Sequence, residues 1–517
     1  MPELKAWRAA RPHVVRVASS VKPHMARITQ AVRPRSVKFT TSQVTAIAAT
    51  VGLALAAGAV AAAGPWDSSG QRTAERDWAA SREGEGGADH GLTSDTSAKG
   101  PRPASSAPTV LTGLGGSRAS SVPAPAQKAL AEVLDPLLND PSLGARRSAV
   151  VVDVATGKQL YGKEAGEAQT PASTTKIATA VAVLSALGTD HRITTRAVLE
   201  PGTKEVVLVG AGDPTLTAHK DAKGWASLRT LADETASALK ARHLTEVTLS
   251  YDTSLYSGAV LHPIGVDSNL APVSALMVDE GRTDDSDSGT ATRSTDPAGD
   301  AARKFAELLK AEGIKATSPG LSKATPRSEA LASVSSPPLS ALVERMMTNS
   351  DNDIAEALAR QVALATGGKA SFAGGAKAIG TQLKKLGLPL AGAKFNDGSG
   401  LNRADKLTAD LLTALLAKAG DPAHPELRPV LTGLPVAGFT GTLTDRYTAD
   451  ASATGVVRAK TGTLTGVNTL AGTVVDTDGR LLAFAFLTSD ETHPPDKTAA
   501  QSALDRTATA LATCGCR

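Results

Sequence analysis

Three short clusters of serine, lysine and small polar residues are the parts of this sequence that can do chemistry. They are Ser173-Thr174-Thr175-Lys176, Ser350-Asp351-Asn352 and Lys460-Thr461-Gly462, in this order along 517 residues. A serine hydroxyl attacks a carbonyl carbon when a nearby base removes its proton, and a lysine amine is such a base once its pKa is lowered. The clusters therefore point to acyl transfer through a covalent serine intermediate.

The spacing of the first cluster suits proton transfer. Ser173 and Lys176 are three residues apart on a predicted helix, so both side chains lie on the same face. Pro171-Ala172 leads into the first turn, where backbone N–H groups and the helix dipole favour negative charge and would help a serine alkoxide. Lys460 is a candidate for the neighbouring positive charge that would lower the pKa of Lys176.

Each cluster also has an ordinary structural explanation. Ser173 can be a helix N-cap with Lys176 as a solvated charge, residues 350–352 can be a helix start, and residues 460–462 can be a strand end that runs into a turn. The pattern S-x-x-K also occurs at Ser19-Ser20-Val21-Lys22, so one match is not specific. The joint occurrence of all three clusters, in this order, favours the catalytic interpretation.

The sequence lacks the motifs of other catalytic chemistries. Residues 157–163 match the phosphate-binding pattern G-x4-G-K, but Glu164 follows and has no hydroxyl for Mg²⁺. The sequence contains no H-E-x-x-H and no G-x-S-x-G, and its nine histidines lack ligand spacing. Cys514 and Cys516 cannot make a disulfide framework or a zinc site, and we interpret them as a frayed tail. We predict no metal and no cofactor.

The elements that must position the clusters follow from the hydrophobic pattern. We predict a hairpin over 148–161 with a turn at 155–158, a helix from Ser173 to Leu187 that ends at Gly188, two helices over 339–362 with a break at 348–352, and strands at 455–458, 470–475 and 481–486. In the first helix Ile177, Val181 and Leu184 share one face. This mixture predicts a sheet combined with helices.

On these motifs the sequence resembles the penicillin-recognising serine acyltransferases, and among them the low-molecular-mass penicillin-binding proteins of the D-alanyl-D-alanine carboxypeptidase/endopeptidase kind. The resemblance covers about residues 126–517. Four longer segments share it: Gly210–Leu216, Ala271–Leu276, Asp397–Leu401 and Gly438–Leu443. It implies an α+β fold, a β-lactamase/transpeptidase-like domain in which helices flank an antiparallel sheet.

The same resemblance implies inserted subdomains at about 195–335. The distance from Ser173 to Ser350 is 177 residues, and β-lactamases that resemble this fold have far shorter spacing. The spacing therefore argues against a simple β-lactamase. The acidic stretch 277–300 is interpreted as a solvated loop; it contains Asp279, Glu280, Asp284, Asp285 and Asp287.

Catalytic roles are carried over from the family residue by residue. Ser173 resembles the nucleophile that attacks the D-Ala-D-Ala carbonyl to give an acyl-enzyme, and Lys176 resembles its general base. Ser350 would carry a proton to the leaving amine. Water would then release the acyl group.

Binding roles are implied in the same way. Asn352 would hold the substrate amide or Lys176, and Lys460 with Thr461 would bind the terminal carboxylate. The backbone N–H groups of Ser173 and Thr463 would form the oxyanion hole. We expect a serine-type D-Ala-D-Ala carboxypeptidase, a DD-endopeptidase or both, acting on peptidoglycan peptides and acylated by β-lactams. The alternatives are a non-catalytic wall-binding or penicillin-binding scaffold, and an esterase or β-lactamase of the same fold.

Charge is concentrated at the N-terminus. Residues 1–43 carry nine Lys/Arg against one acid, while the rest of the chain has a net charge of −4. Aromatic residues are 3% of the chain, which leaves few stacking platforms for single-stranded nucleic acid. The basic pI therefore reflects a tail, and we expect no nucleic-acid partner.

The basic segment precedes a candidate membrane span. Residues 44–64 carry no charge, and 21 residues of helix can just cross the hydrocarbon layer. The positive-inside rule places residue 1 in the cytoplasm and the catalytic domain outside. A cleaved signal peptide ending near Ala61-Ala62-Ala63 is the alternative. Residues 65–125 are rich in Gly, Ser, Ala and Pro and predict a flexible linker to a serine peptidase domain at 126–517.

Overall fold

The structure is a computed structural model that describes residues 124–317, 319–447 and 451–516. The basic segment 1–43, the predicted span 44–64 and residues 65–123 of the predicted linker lie outside these ranges. Within them, no helix has both the length and the apolar character that crossing a membrane requires.

The described residues form ten α-helices and eleven strands. In chain order they are α1 (Gln127–Leu138), β1 (Arg146–Asp153), β2 (Gln159–Lys163), α2 (Thr175–Leu187), β3 (Thr194–Leu199), β4 (Glu205–Val209), α3 (Leu228–Lys240), β5 (Glu246–Asp252), α4 (Pro297–Ala311), β6 (Lys315–Ala316), β7 (Gly320–Leu321), β8 (Glu329–Ser335), α5 (Leu339–Asn349), α6 (Asn352–Ala365), α7 (Phe372–Lys385), α8 (Ala409–Gly420), α9 (Arg428–Thr432), β9 (Arg458–Leu464), β10 (Val467–Val475), β11 (Leu481–Ser489) and α10 (Lys497–Thr513).

The central sheet contains five antiparallel strands in the order β2-β1-β11-β10-β9. The predicted hairpin is confirmed as β1 paired with β2. Strands β10 and β11 are buried along their whole length, which explains their continuous apolar runs. The strand predicted at 455–458 is wrong in position, because β9 begins at Arg458. Lys460-Thr461-Gly462 consequently lies within an edge strand, not after one.

Helices cover both faces of this sheet, which gives the α+β fold that the sequence predicted. Helices α1 and α10 share one core with Phe484 and Phe486 of β11. Ala485, which points to the other face, belongs to the core formed with α2, α5, α6 and α8. Alternate residues of a single strand therefore serve two separate cores.

Helix α2 lies at the centre of the larger core. We expected a helix with one apolar face, but every residue from Thr175 to Leu184 is buried. The reason is tertiary: α5, α6, α7 and α8 all pack against α2. The predicted end is confirmed, since Gly188 has φ +81° and its N–H donates to the Leu184 carbonyl at 2.8 Å.

A second sheet is formed by strands that all lie between Thr194 and Ser335. Its order is β6-β5-β4-β3-β8, with β7 also paired to β5. Strand β3 is antiparallel to both of its neighbours, whereas β4, β5 and β6 run parallel. Helices α3 and α4 pack on this sheet around Phe305 and form a third core.

Two expectations for exposed segments are wrong. In the stretch 277–300 the three residues Asp284, Asp285 and Asp287 are exposed, but Glu280 is buried and bonded to Arg282 and Arg345. Burial and the charges of Asp351 and Asp353 raise the pKa of Glu280 to about 8. The C-terminal cysteines are also buried and form a disulfide with each other. The Cys516 carbonyl accepts a hydrogen bond from the Ala126 N–H at 2.7 Å, which joins the two ends of the domain.

Candidate active site

The segment that carries Ser173 is a tight turn. Residues Ala172–Thr174 form a 3-10 turn that runs directly into α2, where we predicted regular helix from Ser173. Ala172 has φ +48°, a left-handed conformation that is strained for a residue with a Cβ. The Pro171 carbonyl anchors the turn by accepting hydrogen bonds from the hydroxyls of Thr174 (2.7 Å) and Thr469 (2.9 Å). Ser173 is thereby held at the N-terminal end of the buried helix.

Lys176 makes three hydrogen bonds at the base of the site. Its Nζ lies 3.0 Å from Ser173 Oγ, 2.6 Å from Asn352 Oδ1 and 2.7 Å from the Ser399 carbonyl oxygen. Burial lowers the pKa of Lys176 to about 8, although the negative charges of Asp397 and other acids act against this shift. Burial thus allows about half of the Lys176 amines to be neutral near pH 8, while the side chain stays next to the serine hydroxyl.

The second cluster joins two helices. Helix α5 ends at Asn349, and the C-cap residue Ser350 has the left-handed angles φ 58° and ψ 37°. Asp351 caps α6 by accepting a hydrogen bond from the Ile354 N–H at 2.9 Å. The Asn352 side chain, at the start of α6, reaches Lys176 through Oδ1 and donates to the Asn269 carbonyl through Nδ2 at 2.9 Å. The predicted break between two helices is confirmed.

The third cluster lies on β9, at the edge of the sheet. Lys460 is fully buried and its Nζ donates to the Thr461 carbonyl at 2.8 Å. Burial, together with the charge of Lys176, holds the pKa of Lys460 well below its usual value. Thr461 is half-buried, and its hydroxyl donates to Thr442 Oγ1 at 2.8 Å, while Thr463 is exposed.

A cleft of about 550 Å³ joins these clusters. Five of the seven predicted residues line it: Ser173, Ser350, Asn352, Thr461 and Thr463. Lys176 and Lys460 lie buried behind the lining. Their predicted roles stay predictions, but the geometry brings all three clusters to one place.

Several lining residues were not predicted from the sequence. The cleft is also lined by Asn269, Arg282, Arg293, Thr442, Arg446, Lys497 and Gln501. Arg282 and Arg293 belong to the stretch we expected to be a solvated acidic loop. Two further groups of the site lie in segments that the family resemblance had singled out. The Ser399 carbonyl lies in the segment 397–401, and Thr442 lies in the segment 438–443.

Two buried groups of Asp, Glu and His side chains have metal-like spacing among the described residues. One comprises His262, Glu356 and Asp397, and the other comprises Glu280, Asp351 and Asp353. The carboxylates of both groups already bond to protein side chains: His262 Nε2 donates to Asp397 at 2.9 Å, and Arg282 Nε donates to Glu280 at 2.9 Å. These bonds suit a structural role in holding neighbouring loops.

The fold and the geometry of the site together define a class. A serine that faces a buried lysine, with a second serine and an asparagine from a helical layer and a threonine from the sheet edge, is the arrangement of a penicillin-recognising serine enzyme. The chain matches the D-Ala-D-Ala carboxypeptidase 3 (S13) family over residues 130–286 and 284–511. The chain belongs to this family.

Individual relatives agree with the family. Carboxypeptidase DacB of Mycolicibacterium smegmatis is 37% identical over 414 residues, which cover 77% of this chain and 86% of the relative. A D-alanyl-D-alanine carboxypeptidase of Actinomadura sp. is 31% identical over 445 residues, covering 71% and 82%. The crystal structure of penicillin binding protein 4 (dacB) from Haemophilus influenzae has a TM-score of 0.60 at 22% identity and covers 74% of this chain and 98% of that chain. That likeness shows the fold.

Proposed function

We propose that this chain is a serine-type D-Ala-D-Ala carboxypeptidase, DD-endopeptidase or both, which cleaves peptidoglycan stem peptides through an acyl-enzyme on Ser173. The observation that carries the proposal is the set of three hydrogen bonds at Lys176 Nζ. A neutral amine has two N–H bonds and one lone pair. With the N–H bonds directed to Asn352 Oδ1 and the Ser399 carbonyl, the lone pair faces Ser173 Oγ.

Acylation then follows from this geometry. Ser173 Oγ forms a bond to the carbonyl carbon of the penultimate D-residue, and its proton passes to Lys176 Nζ. The oxyanion is held by the backbone N–H groups of Ser173 and Thr463. When the peptide C–N bond breaks, the Ser350 hydroxyl relays a proton to the leaving amine. Water hydrolyses the resulting ester and restores Ser173.

Recognition of the free carboxylate is assigned to β9. The Thr461 hydroxyl lines the cleft, and the Nζ of the buried Lys460 donates to the Thr461 carbonyl. The lining also includes Arg282, Arg293 and Arg446, but these arginines pair with Glu280, Asp353 and Asp505. Recognition of the carboxylate is therefore assigned to Lys460 and Thr461.

Covalent labelling with a fluorescent penicillin tests the proposal. The wild type should carry one label, located at Ser173 by peptide mass mapping, and Ser173→Ala should carry none while keeping its melting temperature within a few degrees. Ser185→Ala, on the same helix α2 but outside the cleft lining, is the matched control and should label normally. Label on Ser173→Ala would remove the nucleophile from the proposal.

The same assay separates the alternatives. A label that persists and a peptide that is cleaved support the DD-peptidase. Rapid loss of the label would favour a β-lactamase. Labelling without hydrolysis of any D-Ala-D-Ala peptide would favour a penicillin-binding scaffold, and hydrolysis of simple esters alone would favour an esterase.

We also propose that residues 44–64 anchor the chain in the cytoplasmic membrane, with the catalytic domain outside. Nine basic residues before an uncharged stretch of 21 residues support this orientation. Protease added to intact spheroplasts should release an active soluble fragment. Activity that stays protected would contradict the topology, and activity that is already soluble would identify a cleaved signal and a secreted protein.

A further inference from the structure

The loop 397–402 presents a backbone carbonyl to the general base. The Ser399 carbonyl oxygen accepts a hydrogen bond from Lys176 Nζ at 2.7 Å, and the adjacent Gly398 carbonyl accepts one from the Thr179 hydroxyl at 2.7 Å. On the other side, Glu356 Oε1 accepts from the N–H groups of Gly398 and Ser399, both at 3.0 Å. The peptide groups beside Lys176 are therefore fixed from both sides.

One carboxylate holds the rest of this loop. Asp397 is fully buried, with Oδ1 accepting from the Gly400 N–H at 2.7 Å and Oδ2 accepting from the Asn402 N–H at 2.7 Å. Oδ2 also lies 2.9 Å from His262 Nε2 and 3.3 Å from Ser399 Oγ. Three of these four polar partners, Ser399, Gly400 and Asn402, belong to the same loop as Asp397.

The hydrogen bonds also define where the charge lies. The Ile264 N–H donates to His262 Nδ1 at 3.2 Å, so this nitrogen is an acceptor and the ring proton is on Nε2. His262 Nε2 then donates to Asp397 Oδ2. Burial acts to raise the pKa of Asp397, but bonds from His262, Asp405 and the Gly400 N–H outweigh it and hold the pKa below its usual value. Asp405 carries the proton of this carboxyl pair, since burial and the charge of Asp397 raise its pKa to about 9.

We propose that Asp397 is a positioning residue for the general base: its buried carboxylate fixes the Ser399 carbonyl against Lys176 and supplies the negative charge that stabilises the ammonium formed when Lys176 takes the serine proton. This inference rests on the proposed function. Asp397 is the buried anion of this arrangement, and it acts on Lys176 through the Ser399 carbonyl and its charge, since it makes no hydrogen bond to Lys176 itself.

Three further acidic residues also raise the pKa of Lys176. Asp397 has the largest influence among the charges that raise its proton affinity, followed by Asp351, Glu356 and Asp353. Each of the latter three also has a separate structural role. Asp351 caps α6, Glu356 pairs with Arg360 at 3.2 Å, and Asp353 pairs with Arg293 at 3.1 Å. Lys460, on β9, is the remaining neighbour, and burial together with the charge of Lys176 lowers its pKa.

The test compares pH profiles of penicillin acylation, measured as single-turnover rates with a chromogenic cephalosporin. Asp397→Asn keeps the size of the side chain but removes its charge and one of its two acceptor oxygens. Because the Lys176 ammonium loses its anion, its pKa should fall. The acid limb of the profile, the low-pH range in which the rate rises as Lys176 deprotonates, should therefore move down by about one pH unit, equivalent to ~10-fold in proton affinity. The limiting rate at high pH should fall by roughly 10-fold or more. A purely structural role would lower the rate at every pH and leave the acid limb in place.

Two further variants separate charge from geometry. Asp397→Glu keeps the charge but displaces the loop, so the acid limb should stay and the limiting rate should fall. Asp405→Asn is the matched control, since it replaces a carboxyl that is already protonated, and its acid limb should coincide with the wild type. An unmoved acid limb in Asp397→Asn overturns the inference. If that variant does not fold, a wild-type limiting rate in Asp397→Glu overturns it instead. Failure of the wild type to acylate would reject the proposed function and is read separately.

Discussion

A lysine acts as a base only when neutral, and the surroundings of Lys176 favour that form at moderately alkaline pH. Burial lowers its pKa to about 8, so half of the amines are neutral there. We expect the acylation rate of the wild type to rise with pH and to reach half of its limit near pH 8. A flat profile between pH 6 and 9, measured with the fluorescent penicillin, would contradict Lys176 as the base.

Substitution of Lys176 measures how much the general base contributes to the acylation rate. Lys176→Ala should slow acylation by ~10²–10⁴-fold, the usual contribution of a general base. Lys176→Arg is the informative companion, because it keeps a cation and its donors but does not release a proton at these pH values. It should be as slow as the alanine variant and show no acid limb. A loss below tenfold in either variant would count against the assignment.

The role of Lys460 is tested by the charge of the substrate. Amidating the terminal carboxylate removes a charge-assisted hydrogen bond, which costs about 1.5–3 kcal/mol. A D-Ala-D-Ala peptide amide should therefore lose roughly 10–150-fold in kcat/KM relative to the free acid. Lys460→Ala should erase most of this difference. Equal hydrolysis of acid and amide by the wild type would mean that β9 does not recognise the carboxylate.

At the scale of elements, β9 must approach the turn that carries the nucleophile very closely. A Cβ on Gly462 would lie 2.1 Å from Thr469 Oγ1 and 2.7 Å from the Pro171 carbonyl oxygen. Thr469 is one of the groups that anchor this turn. The glycine of the third cluster is thus required by packing, which a motif alone does not reveal.

Gly462→Ala should displace the Ser173 turn and reduce the acylation rate by on the order of 10²-fold, the usual effect of a misplacement of about 1 Å. Gly166→Ala is the control, since an added Cβ there would meet no atom within 4 Å. Its acylation rate should equal that of the wild type. If Gly462→Ala acylates as fast as the control, the close approach of β9 does not position the nucleophile.

At the scale of the whole molecule, the segment 280–293 supports the helices that carry the second cluster. Glu280 is bonded to Arg282 and Arg345 at 2.9 Å each, and Arg293 reaches Asp353 of α6 at 3.1 Å. These buried ion pairs join the segment after the second sheet's β5 to helices α5 and α6, between which Ser350 lies. The cleft is therefore assembled from both parts of the domain.

Removing one partner from this cluster should be costly. Glu280→Ala removes the buried carboxyl group that Arg282 and Arg345 face, and we expect the free energy of unfolding to fall by about 3–5 kcal/mol. The measurement is urea denaturation followed by circular dichroism. Asp285→Ala is the control from the same segment, because Asp285 is fully exposed, and it should change stability by less than ~0.5 kcal/mol. Equal stability of the two variants would show that the cluster does not hold the cleft.

Local sequence was sufficient for features that depend on neighbours along the chain. The hairpin of β1 and β2, the end of α2 at Gly188 and the break before Asn352 were all predicted, because turn residues and caps act within a few positions. The three clusters also predicted the family, since their residue types are tied to one reaction.

Tertiary structure alone decided what surrounds those residues. The sequence placed Lys176 near Ser173, but the Ser399 carbonyl that receives its second N–H comes from 223 residues away. Glu280 was expected in solvent because an acidic stretch predicts exposure, yet it is buried and bonded to Arg345, which is 65 residues away. Burial and charge pairing depend on which segments meet in space. For that reason the sequence identified the reacting groups, and only the fold determined their proton affinity and their orientation.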